Sequence, residues 1–125
     1  MNISSTKIIL NLFGLLLTFV TGVILTKTGK PYNVVIQTLH KLSSIGFFII
    51  VIVTCISLLK DKNLLTISQI FIFLTIIFFA LSIISGGLVL ALKNVNIYIL
   101  YSHRILPFLG LTFGIITCIL TIIKK

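Results

Sequence analysis

Apolar residues along this chain fall into four long blocks separated by three short polar breaks. The blocks run over roughly Ile8–Thr26, Ile36–Leu59, Leu65–Leu92 and Ile97–Ile123. A helix needs about 20 mainly apolar residues to cross a bilayer core, and each block supplies that length. The breaks, Lys27–Val35, Lys60–Leu64 and Lys93–Asn96, are short, so successive helices must return antiparallel. The expected fold is all-α: a four-transmembrane-helix, up-down-up-down bundle forming a single membrane domain over residues 1–125.

Composition narrows the class. Hydrophobic residues make up 58% of the chain, charged ones 9%, and the mean hydropathy is +1.32, which rules out a soluble domain. The first block is longer than the apolar core of a secretory signal and no small-residue cleavage site follows it, so it is expected to stay as a helix. No extramembrane domain is expected, and no segment has room for a nucleotide fold or a soluble active site. The net charge of +9 is scattered over the helix boundaries instead of forming a basic stripe with interleaved aromatics, so nucleic acid is not an expected partner. Anchoring at lipid headgroups explains it.

Orientation follows from the bases. Lys7, Lys60, Lys62, Lys124 and Lys125 lie on the side of the termini, and Lys27, Lys30, Lys41, Lys93 and Arg104 on the other. Setting aside Lys41 and Arg104, which lie inside helices, the terminal side is the richer in positive charge. That places both termini in the cytoplasm of a cell membrane, as expected for a multi-pass protein.

The blocks also repeat. The only two histidines lie in Leu39-His40-Lys41-Leu42 and Ser102-His103-Arg104-Ile105, and the only two cysteines in Thr54-Cys55-Ile56 and Thr117-Cys118-Ile119. Both pairs are 63 positions apart. Upstream, Thr18-Phe19-Val20-Thr21-Gly22 matches Ser82-Ile83-Ile84-Ser85-Gly86 at an offset of 64, which predicts a loop one residue shorter in the second half. The chain therefore reads as a duplicated helical hairpin, with repeat halves at about 8–62 and 65–125. Both halves cross the membrane in the same sense.

An ionisable side chain within a span suggests function. His40 and His103 lie one to two turns inside the second and fourth helices, at nearly equal depth. In an up-down bundle these helices are diagonal partners about 12–14 Å apart, a gap that suits two imidazoles reaching one iron. Gly22, Gly86 and Gly87 share that layer and leave space for a flat macrocycle, although helix packing would use them equally well. Lys41 and Arg104, the latter the only arginine, are placed to pair with haem propionates, as are Lys27, Lys30 and Tyr32; snorkelling to the interface is the alternative. Pro107, four residues after His103, removes the amide that would bond its carbonyl and invites a kink. The cysteines lie about 22 Å along the helices from the histidines and complete no zinc or iron–sulfur set; small buried residues is the better reading. Gly110 and Gly114 form a GxxxG pair facing either another helix of the bundle or a second protomer.

On its His-Lys and His-Arg helices the chain resembles small membrane cytochrome b-type proteins, and also the small haem-sensing and haem-sequestering membrane proteins. The resemblance spans the whole length and implies one haem b with both histidines as ligands. It departs from dihaem cytochromes that cross the membrane, because no second histidine pair lies near the other face. The expected function is haem sequestration or electron transfer at one face, with haem, the bilayer, a quinone or redox partner and a second copy of the chain as candidate partners. A membrane anchor or assembly subunit without cofactor is the alternative. Cation-coupled export is disfavoured because the only acid, Asp61, lies in a loop. Neither a carboxylate pair nor a nucleophile–base set is present, so any redox chemistry belongs to the cofactor.

Overall fold

The computed structural model describes residues 5–60 and 64–123. Four helices follow one another: α1 Ser5–Thr28, α2 Val34–Leu59, α3 Thr66–Ala91 and α4 Ile97–Ile123. All four are long and apolar enough to span a membrane, so the chain is an all-α, multi-pass membrane protein. Observed ends fall within three residues of those read from the apolar blocks. Asp61, Lys62, Lys124 and Lys125, used above for orientation and function, lie outside the described residues.

The chain divides into two compact units, Met1–Ile56 and Ser57–Lys125. Each contains one antiparallel hairpin. In the first, Asn11 meets Thr54, Gly14 meets Phe47 and Gly22 meets His40. In the second, Thr75 meets Gly114, Phe79 meets Gly110 and Gly86 meets His103. Large apolar side chains cover the helix surfaces, among them Phe13, Leu16, Ile49, Phe73, Ile84 and Ile122. That is the distribution lipid requires.

Both hairpins turn in similar ways. α1 ends at Gly29, whose φ of 65° is left-handed and favours glycine, and whose amide donates to the Leu25 carbonyl at 3.1 Å. Asn33 then caps α2, its Oδ1 accepting from the Val35 amide at 2.9 Å and the Ile36 amide at 3.3 Å. Asn96 does the same for α4, accepting from the Tyr98 amide at 2.9 Å. These two caps stand 63 positions apart (96 − 33), the offset of the histidines, and extend the repeat. The connections, 29–33 and 92–96, are equal in length, contrary to the expected shorter second loop. The extra residue of the first half lies in α1, which runs six residues past Gly22, where α3 runs five past Gly86.

Lipid gives helices no hydrophobic reason to associate, so close packing and interhelical hydrogen bonds hold each hairpin. The first hairpin seats Phe47 of α2 against Gly14 of α1, where an added Cβ would lie 3.2 Å from the Phe47 Cβ. The second reverses the sizes: Phe79 of α3 lies against Gly110 of α4, an added Cβ being 3.2 Å from its ring. Phe47 and Gly110 are equivalent in the repeat (110 − 47 = 63). The duplicated halves thus keep one large and one small residue at this level but exchange which helix supplies each. The GxxxG pair therefore faces α3 of its own hairpin. Gly110→Leu should overpack it and destabilise the protein by about 1–3 kcal/mol, read as a lower unfolding midpoint in detergent. An unchanged midpoint would mean that α4 does not pack there.

Hydroxyls in the spans are mostly satisfied locally. Thr54, Thr75, Thr112, Thr117 and Thr121 each donate to the carbonyl four residues back, at 2.8–3.0 Å. Of the cysteines, Cys55 is buried as expected, but Cys118 is exposed on the outer surface of α4. The repeat preserves its identity and not its environment.

Candidate histidine site

The two histidines occupy matching seats, each built within one hairpin. His40 stands two turns inside α2 and turns toward α1. Its Nδ1 lies 3.1 Å from the Thr18 carbonyl oxygen and 3.0 Å from Thr21 Oγ1. His103 repeats this against α3: its Nδ1 lies 2.9 Å from the Ser82 carbonyl oxygen and 3.4 Å from Ser85 Oγ.

These contacts account for the second hydroxyl and the glycine of the hydroxyl-x-x-hydroxyl-Gly pattern; from Thr18 and Ser82 they use only the main-chain carbonyl. On a helix, residues i, i+3 and i+4 share a face, so the carbonyl of the first, the hydroxyl of the second and the bare Cα of the third form one surface. The imidazole lies flat enough on that surface that a Cβ added at Gly22 would stand 3.1 Å from His40 Cε1. One added at Gly86 would stand 2.6 Å from His103 Cε1, closer than real side chains come. These glycines were expected to make room for a macrocycle; the group filling the space beside them is the histidine ring. Gly87 is not part of the seat: it is exposed, and a Cβ there would meet nothing within 4 Å.

A carbonyl oxygen can only accept, so Nδ1 must carry the ring proton in both histidines. In the neutral imidazole the lone pair then resides on Nε2. A main-chain carbonyl holding Nδ1–H is the arrangement that orients metal-ligating histidines through their other nitrogen. The donor chemistry thus suits an iron ligated by imidazole Nε2. Among the described residues no group of three or more His, Cys, Asp or Glu side chains comes together.

The backbone behind each ring differs. Ser43 and Ser44 donate their hydroxyls to the His40 carbonyl, at 3.1 and 2.6 Å. Pro107 takes the place equivalent to Ser44 (107 − 63) and has no amide for the His103 carbonyl; α4 continues through it to Ile123. Lys41 and Arg104 are exposed on the helix surface, and so are Lys27 and Lys30. Lys30 Nζ lies 5.9 Å over the ring of the half-buried Tyr32.

Sequence reasoning had found Thr18, Thr21, Ser82 and Ser85 as a repeated pattern without giving them a partner. The signal was the spacing of hydroxyls and glycine; what it could not provide was the histidine across the hairpin. Comparison with protein-family models, with curated proteins and with solved structures finds no match to this chain.

Proposed function

We propose that this chain is an integral membrane protein that binds one haem b through His40 and His103. It sequesters haem or relays electrons at one membrane face. The observation that carries this reading is the duplicated seat: two imidazoles, each with Nδ1 held at a main-chain carbonyl of the neighbouring helix, as metal-ligating histidines are oriented. Placing a half-buried polar ring in a span is expensive, and such residues are characteristically functional. Building the same seat twice, with the same glycine cut away for the ring, is hard to account for by packing alone.

Haem, when bound, supplies the one-electron chemistry; the chain supplies the ligands and their orientation. Lys41 and Arg104, with Lys27, Lys30 and Tyr32, are in this reading the partners of its propionates. The cell membrane with cytoplasmic termini, a quinone or redox partner and a second copy of the chain complete the proposal. A second reading, an anchor or assembly subunit without cofactor, draws on the same hydrogen bonds, because a histidine bonded to the neighbouring helix also glues a hairpin together.

The spectrum separates the two. Purified protein, as isolated or after haem is added, should show a Soret band and the sharp reduced α band of six-coordinate haem b. A preparation that stays colourless after haem addition would refute haem binding and leave the anchor.

A further inference from the structure

The duplicated halves share their inner features and differ on one outer face. On α4, Tyr98, Tyr101 and Arg104 follow one another three residues apart, as neighbours along one side of the helix. Tyr98 is 77% exposed and Tyr101 53%, and Arg104 is exposed as well. The equivalent positions of α2 are Val35 (98 − 63), Thr38 (101 − 63) and Lys41 (104 − 63), all exposed too. Exposure is therefore alike in the two halves, and the chemistry is not.

What the second hairpin adds at this face suits a phosphate. Arg104 stands seven residues past Ile97, about 10 Å along α4, so its charge lies within the span. A charge at that depth needs an anion or a route to the headgroups. No Asp or Glu lies among the described residues to supply one. Helix side chains lean toward the N-terminus, so Arg104 reaches back toward Tyr101 and the membrane boundary. A guanidinium grips a phosphate with two parallel hydrogen bonds, where the ammonium of Lys41 offers a point charge. The phenols add hydroxyl donors, and tyrosine rings favour the headgroup level. Ile105 and Phe108, both exposed, continue the face toward the bilayer centre, where acyl chains lie.

We propose that Tyr98, Tyr101 and Arg104 form a site for one anionic phospholipid, its phosphodiester held by the guanidinium and the phenol hydroxyls. The first hairpin lacks such a site. The net charge of +9 favours an anionic over a zwitterionic headgroup. The site stands apart from the haem reading; a lipid on Arg104 leaves the propionates of a bound haem to Lys41, Lys27, Lys30 and Tyr32.

The test titrates the full chain in detergent with phosphatidylglycerol or phosphatidylcholine of matched acyl chains and counts retained lipid by native mass spectrometry. The wild type should retain one phosphatidylglycerol in preference to phosphatidylcholine. Arg104→Gln should weaken that binding by about tenfold or more, the scale of a lost hydrogen bond to a charged group. Arg104→Lys should recover only part of it. Tyr98→Phe and Tyr101→Phe should each weaken it by a smaller factor. Lys60→Gln, which removes the same charge just past α2, should leave retention unchanged. Equal retention of the two lipids by the wild type, or an equal loss in Lys60→Gln, would overturn the site and leave a diffuse basic surface. Unchanged lipid retention with weakened haem binding in Arg104→Gln would overturn it in favour of the propionates. A wild type that takes up no haem yet selects phosphatidylglycerol would refute the haem reading alone and support the lipid site.

Discussion

Replacing either His40 or His103 with alanine should remove the six-coordinate haem spectrum and weaken haem binding by more than about 100-fold. That exceeds the 10–100-fold typical of losing an outer-shell partner, because on the proposed function a ligand itself is lost. Each ring is held by its own hairpin, so neither variant should unseat the other histidine. The remaining imidazole would bind weakly and leave the spectrum five-coordinate. Cys55→Ala and Cys118→Ala provide the contrast and should retain the wild-type spectrum. Haem titration followed by absorbance measures all four, with the detergent unfolding midpoint showing that the fold survives. A spectrum lost in the cysteine variants and kept in the histidine variants would reverse the ligand assignment.

The second large effect is expected at a glycine. In Gly86→Ala the new methyl would lie 2.6 Å from His103 Cε1 and 3.1 Å from its Nδ1. Backbone stands on one side and the ring on the other, so the ring must move and its bond to the Ser82 carbonyl must lengthen or break. Binding should fall by about 10- to 100-fold, in line with loss of an outer-shell partner. Gly22→Ala meets His40 Cε1 at 3.1 Å and Nδ1 at 3.6 Å, so a shift of a few tenths of an ångström relieves it and the loss should be smaller. The order, Gly86 above Gly22, is the claim; equal or reversed losses would show that the ring contacts do not govern binding. Gly87→Ala tests the remaining expectation for the glycines. It meets nothing within 4 Å, so a large loss there would show that a flat ligand lies against this stretch of α3.

Much of the candidate site was readable before any coordinates. The paired histidines, the hydroxyl–glycine pattern and the two offsets of 63 and 64 all lie in the chain itself. The paired caps Asn33 and Asn96 stand at the same offset of 63, but a neutral amide beside an apolar block acquires its meaning only once the helix start is placed. The partners of the histidines were not readable. Thr18 and His40 are 22 positions apart, and Ser82 and His103 are 21 apart; only the closed hairpin joins them.

The sequence by itself determined four membrane-spanning helices and their duplication. In lipid a segment must satisfy its own backbone, so length and apolarity alone dictate helix. Tertiary structure decided how each helix is rotated: that Gly22 and Gly86 receive imidazoles, that Gly110 and Gly114 face α3, and that Cys118 points outward while Cys55 does not. The physical reason is that these helices are apolar almost all round. A soluble helix reveals its inner face by a polar stripe opposite; a helix in lipid carries no such mark. Which side meets its neighbour is set by the fit of rings, glycines and hydroxyls across the hairpin, and that fit exists only once two helices lie together.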